Sequence, residues 1–343
     1  MRLSPLAASL LSAFALATTT AHAEMAIGGF APQIAFFGAN AQGADAPLAH
    51  ITGPDTQMVE PAFGVYEPNE QLLYVSDFNG RALLVYPAFA RGNVAPLRVL
   101  NPPQFGQTRA SAPVYAQDEI GIIVSNCCIA TYPLHASGSD TFAIRTINWG
   151  GLSGSATDLN NPLSLRYLPD SDEYVVSEYD RLVFHARTAG PYDAPTRRIT
   201  GPAVANCISV AHDPAAHRLF VLCQTPWDGS SPVTHVRIGV FADDASGEAA
   251  PLYTIEGDAT GLDLPPGYYV NGIGHDPYLH RLMVASGSGS GSAAQNRVVV
   301  FADDASGNAA PVQEVEGANV GAGSLGTPFA VPVDAIFANG FDD

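Results

Sequence analysis

A unit repeated six times constrains this chain more than any other feature. Two copies are nearly identical: Val240-Phe241-Ala-Asp-Asp-Ala-Ser-Gly247-Glu-Ala-Ala-Pro251 and Val300-Phe301-Ala-Asp-Asp-Ala-Ser-Gly307-Asn-Ala-Ala-Pro311. Each leads into an apolar position and a glycine, Ile255/Gly257 and Val315/Gly317. Weaker copies run from Phe37 through Gly43 to Ile51, from Tyr86 through Gly92 to Val99, and from Phe184 through Gly190 to Ile199; Tyr132 through Gly138 to Ile147 is the most decayed. The six aromatics stand 49, 46, 52, 57 and 60 residues apart. A period of this size sets the architecture, because one unit cannot bury both its faces alone.

Between these copies a second piece recurs, an apolar strand, a turn and another apolar strand, at Gly64 to Asp77, Leu163 to Glu178, Ile208 to Cys223 and Ile273 to Ser286. Pro68, Pro169, Pro214 and Pro277 mark the turn, each nine positions before the end of the second strand; Val114 to Asn126 fits without a proline. Each unit therefore holds four short strands, a to d, rich in Val, Ile, Leu, Tyr and Phe and punctuated by Gly, Pro, Asn and Asp. Stacked units hide their end faces by closing into a ring. Gln33 to Phe37 opens with the c and d strands of a unit, and Pro328 to Val331 reads as a lone strand a, with Asp334 to Phe337 available as b. The expected fold is all-β: a six-bladed β-propeller of four-stranded antiparallel blades, closed by N- and C-terminal strands sharing one blade.

On these repeats, of which "VVFADDASGNAAPVQEVEG" at 299 to 317 is the clearest, the chain resembles the NHL-like six-bladed β-propellers, and more closely exported bacterial propellers. The likeness covers 33 to 337. It implies the fold and leaves function open, since propellers host hydrolases, lyases, receptors and scaffolds alike. The ending Ile336 to Asp343 is similar to the short tails of certain exported proteins, which implies sorting and competes with Ile336 and Phe337 as strand b.

Arg2, the apolar stretch Leu6 to Ala17 and the A-x-A pattern Ala21-His22-Ala23 predict an export signal cleaved after Ala23. The domain reading is a signal at 1–23, a linker at 24–32, the propeller at 33–337 and a tail at 338–343, in the periplasm or outside the cell. No later run is long and apolar enough to span a membrane. The 33 acidic residues against 15 arginines, with no lysine, give a formal charge of −18 and argue against a nucleic-acid partner. A monomer without cofactors is expected.

Four cysteines in an exported chain predict disulfides. Cys207 and Cys223 flank a hairpin centred on residue 215, which makes a cross-strand bridge the first choice; Cys127 and Cys128 form either a vicinal bridge or two free thiols. His212-Asp213-Pro214-Ala-Ala-His217 and His275-Asp276-Pro277-Tyr-Leu-His280 look like repeated ligand pairs, but both fall at a-to-b turns where Asp-Pro is ordinary turn chemistry. Asp243-Asp244 and Asp303-Asp304 invite a calcium reading that the other repeats do not share. No metal site is expected.

The b-to-c and d-to-a connections should crowd one face of the ring around the channel. Trp149, Trp227, Tyr268 and Tyr269 fall there, beside the strand-b ends Asp77, Asn126 and Glu178. The expected site is aromatic and acidic-polar, for a saccharide, peptide or other neutral-to-cationic partner, set against the plainer possibility that the rings only cover their own blades. With no catalytic motif in the chain, a non-enzymatic binding role is expected. The alternatives are an enzyme of the streptogramin-lyase or hydrolase type, acting through His235 with Glu178 or Asp228, and a structural module sorted by its tail.

Overall fold

The computed structural model describes residues 23–148, 156–225, 234–265, 268–288, 295–321 and 323–333. These form six four-stranded antiparallel sheets, the blades of a β-propeller. In blade one the strands a to d are Phe63–Glu67, Leu72–Asp77, Ala82–Pro87 and Arg98–Leu100. Blade two runs from Thr108–Val114 to Arg145–Ile147, blade three from Ser164–Leu168 to Arg197–Ile199, blade four from Cys207–Asp213 to Tyr253–Ile255, and blade five from Tyr268–Asp276 to Gln313–Glu316. Each strand a touches the strand a of both neighbouring blades, so six of them ring a central axis.

The sixth blade closes the ring. Its strand a is Phe329–Pro332, and b, c and d are Ala23–Ile27, Gln33–Phe37 and Ala49–Thr52. Met25 pairs with Ala330 on one side and Phe37 on the other. The stretch expected as a linker therefore supplies strand b, the position assigned from sequence to Asp334–Phe337, which lies outside the described residues. Its five residues, Ala-Glu-Met-Ala-Ile, carry no upstream turn signal and become a strand only because two partners flank them. A smaller shift affects blade two, where Val114 ends strand a instead of beginning it.

The core lies between blades. Each of six apolar clusters draws its side chains from two adjacent blades. The repeated aromatics Phe37, Tyr86, Tyr132, Phe184, Phe241 and Phe301 all sit on strand c and are fully buried; each such burial stabilises by roughly 2–3 kcal/mol. The recurring glycine has a different task. It stands in the c-to-d turn and pairs in parallel with strand d of the preceding blade: Val315 with Gly43, Ile51 with Gly92, Leu100 with Gly138, Ile199 with Gly247, and Ile255 with Gly307. These glycines have φ between +53° and +81°, a conformation costly for other residues. Between blades two and three the Asn148 N–H donates to the Pro191 carbonyl instead, at 3.1 Å. The repeat is thus legible because every blade must clasp the next.

Cys207 and Cys223 are bridged across the first two strands of blade four, as expected, and Cys127 and Cys128 form a vicinal disulfide. No helix of the described residues is long and apolar enough to cross a membrane.

Candidate functional site

Trp149, Trp227 and Asp228 lie outside the described residues. Of the remaining expected site residues, the two carboxylates at strand-b ends turn out to be structural. Asp77 is fully buried and accepts the backbone N–H groups of Val59 at 2.8 Å, Glu60 at 2.5 Å and Gly80 at 3.3 Å. Glu178, also buried, accepts those of Asn160 at 3.1 Å and Asn161 at 2.9 Å. Burial pushes both carboxyls above the ordinary range, against the pull of these amides. Each folds a d-to-a connection onto its blade, and both carboxylates are engaged by backbone amides.

What the face does contain is a cavity of about 280 Å³, lined among others by Phe30, Phe63, Phe78, Arg109, Leu163, Tyr179, Ile208, Gln224, Tyr269 and Leu325. All six blades contribute, so it lies on the axis, at the mouth of the channel. Among the described residues the lining holds five exposed or half-buried aromatic rings and no carboxylate. Phe30 meets Phe78 edge to face, with centroids 5.8 Å apart. Tyr269 is part of this lining, whereas Tyr268 packs against the apolar cluster between blades four and five.

Arg109 is the one charged group among the described residues of the wall. Its guanidinium lies 5.1 Å from the Phe78 ring centroid, and its Nε donates to Asn126 Oδ1 at 2.7 Å. Asn126 Nδ2 in turn donates to Gln107 Oε1 at 3.0 Å, which fixes the amide. Asn126 therefore belongs to the site as a positioning residue. Deeper on the axis, Arg166 of blade three crosses the channel toward the Ile273 carbonyl of blade five, at 3.4 Å. Burial pulls its pKa down to about 10, and lowers that of Arg109 as well; both remain cationic at neutral pH. No carboxylate of the described residues pairs with either. Two arginines thus stand on axis-lining strands in a chain of formal charge −18. Sequence spacing carries no signal for this, because Arg109 and Arg166 belong to strands a of different blades and only the ring sets those strands around one axis.

His235 occupies a second cavity, of about 350 Å³, on the rim of blade four. Its Nδ1 lies 2.8 Å from Asp263 Oδ2, and Asp263 Oδ1 accepts the Val236 N–H. The expected pairing with Glu178 is not made, since that carboxylate is engaged by Asn160 and Asn161. Thr225 Oγ1 accepts the His235 backbone N–H at 3.2 Å instead of meeting the ring, so no hydroxyl–imidazole–carboxylate relay forms among the described residues.

The two His-Asp-Pro turns show the expected turn chemistry. Asp213 Oδ1 accepts the N–H groups of Ala215 and Ala216, and Asp276 Oδ1 those of Tyr278 and Leu279, which is turn chemistry. Yet His212 and His217 also converge on Asp243, and His275 and His280 on Asp303.

No protein-family model matches the chain, and no curated protein matches it. Among solved structures, a nidogen/laminin complex has a chain similar to 90% of this one and 98% of its own length, with a TM-score of 0.56 and 9% identity. A hydrazine synthase of Kuenenia stuttgartiensis has a TM-score of 0.48 and 12% identity over 73% of this chain, which spans 65% of that chain's length. At such identities the nidogen/laminin likeness shows the six-bladed β-propeller fold.

Proposed function

We propose that this protein is an exported, non-enzymatic binding propeller whose channel mouth takes a small organic anion, a carboxylate carried on an apolar or aromatic body. The supporting observation is the pairing of Arg109, held by Asn126, with a ring of aromatics that contains no acidic group among the described residues. An unpaired cation in a half-buried site costs solvation that an anionic ligand restores. The volume stands at the small end of ligand pockets and suits one ring or a short side chain. Arg166 adds positive potential along the axis.

A free carboxylic acid and the C-terminus of a peptide share this chemistry. Protein partnership is named for the nidogen/laminin structure and is carried here only as the second of those sources. The A-x-A pattern before Glu24 supports export, with Glu24 as the first mature residue and its carboxylate bound to Arg91 of blade one. The repeats support an affinity with NHL-like propellers, and the ending Ile336 to Asp343 supports sorting as an additional role.

The test is a thermal-shift and calorimetric screen of the mature chain against small aromatic and aliphatic carboxylates, their amides, and short peptides with free or amidated C-termini. Carboxylates that bind wild type should lose at least 10-fold in affinity for Arg109→Gln. Equal binding of acids and amides, or unchanged affinity in that variant, rejects the site.

A further inference from the structure

On the face opposite the channel mouth, formed by the a-to-b and c-to-d turns, three ligating side chains meet between blades three and four. His217 Nδ1 lies 3.2 Å from Asp170 Oδ2 and 3.4 Å from Asp243 Oδ2. The ligand atoms of all three residues lie within 4.8 Å of one another. We propose that Asp170, His217 and Asp243 form a binding site for a divalent transition-metal ion of the zinc class.

The spacing carries the assignment. Ligands about 2.0–2.1 Å from a tetrahedral ion stand roughly 3.3–3.4 Å apart, close to the two measured edges. Two carboxylates and one imidazole suit a borderline ion, neutralise its charge and leave one position for water. Asp170 and His217 are largely exposed, so an ion has access. Asp243 is held from behind: His212, almost fully buried, places Nε2 3.2 Å from Asp243 Oδ2 and orients it, as groups behind metal ligands do.

The backbone explains why these residues meet. In blades one to five the last residue of the a-to-b turn adopts positive φ and offers its carbonyl to the first amide of the c-to-d turn: Gln71 to Ala88, Asp118 to Leu134, Asp172 to Arg187, His217 to Asp243, His280 to Asp303. Only blades four and five place His and Asp on that clasp. In blade five the chemistry differs, because Arg218 Nη2 donates to Asp213 Oδ2 at 2.8 Å and stands 3.8 Å from Asp303 Oδ1. That guanidinium already supplies the positive charge beside His275. At the blade-four cluster no arginine of the described residues pairs with Asp170 or Asp243; the nearby Arg197 binds Glu173 and the Asp243 backbone carbonyl. One cluster is therefore built for a cation and its sibling for an ion pair. A bound ion would also fasten the turn of blade three to that of blade four.

The experiment is zinc binding to the mature chain, by competition with a chromogenic chelator after EDTA treatment and desalting, with melting measured in parallel. One zinc ion per chain should bind with micromolar or tighter affinity, resist millimolar calcium and raise the melting temperature. His217→Asn, which keeps a residue suited to positive φ, and Asp243→Asn should each weaken binding at least 10-fold, while His275→Gln leaves it unchanged. Circular dichroism confirms that the variants are folded. Absence of saturable zinc binding, equal binding in His217→Asn and Asp243→Asn, or loss in His275→Gln alone overturns the assignment.

Discussion

Asn126 Oδ1 accepts a hydrogen bond from Arg109 Nε at 2.7 Å, joining the b-to-c turn of blade two to the start of its strand a. Together with the Phe78 ring, this contact sets the direction of the only cation among the described residues that line the cavity at the channel mouth.

Replacing Asn126 with Ala should therefore weaken carboxylate binding without unfolding the ring. The bond contributes about 1.5–3 kcal/mol where one partner is charged, so a loss of 10-fold or more is expected by calorimetry. The melting temperature should fall by no more than a few degrees. A variant with wild-type affinity would show that Arg109 orients itself.

Removing the Cys207–Cys223 bridge by a double substitution to Ala should lower stability by about 2–3 kcal/mol, as a closed loop of 16 residues predicts. Urea unfolding of the two forms measures it. Because the hairpin also carries backbone pairing on both sides, the β-rich circular dichroism spectrum should survive.

Ala26 tests closure. It is fully buried and pairs with Phe36 on one side and Phe329 on the other. Ala26→Pro removes a ladder hydrogen bond from the middle of a sheet, a position that proline essentially never occupies. The expected outcome is a large drop in the urea midpoint and early proteolysis within 23–52. An unchanged midpoint would mean that the ends do not close the ring.

His185 provides the acid limb of stability. The ring is fully buried, its Nε2 lies 2.9 Å from the Thr157 carbonyl, and burial holds its pKa below the ordinary imidazole value. The unfolded chain therefore takes up the proton first. Stability from this residue is complete above pH ~6.5 and declines as pH falls toward the lower folded-state value, with a limiting slope of about 1.4 kcal/mol per unit. Melting curves between pH 7.5 and 5 should show a shallower decline in His185→Gln than in wild type.

Gly247 tests the clasp. It has φ +69° and pairs with Ile199 of the preceding blade. A side chain would meet open space, so Gly247→Ala should cost only the backbone strain, about 1–2 kcal/mol. A neutral substitution would show that the turn relaxes without breaking the pairing.

Strand order, blade number and the buried aromatics could be read along the chain because each rests on contacts within one unit or on a clasp repeated in every unit. Phe184 and Phe241 fill equivalent slots, and their neighbours in sequence are also their neighbours in the sheet. The bridge between Cys207 and Cys223 was legible for the same reason, a short hairpin. Strand b of the closing blade was not, since Ala23–Ile27 forms a hairpin with Gln33–Phe37 but finds its strand a some 300 residues away.

The functional groups were decided by tertiary structure alone. Asp77 and Glu178 have the composition of ligand groups, yet burial beneath their own connections spends them on backbone amides. Arg109 and Arg166 carry no motif, and ring closure brings them to one axis; Asp170 and His217 sit on separate blades until neighbouring turns are pressed together. Local repetition dictates how each sheet forms, because a strand needs only its neighbours. Which side chains end up facing solvent, each other or a cavity depends on how six sheets meet, and that is set by distances no spacing along the chain contains.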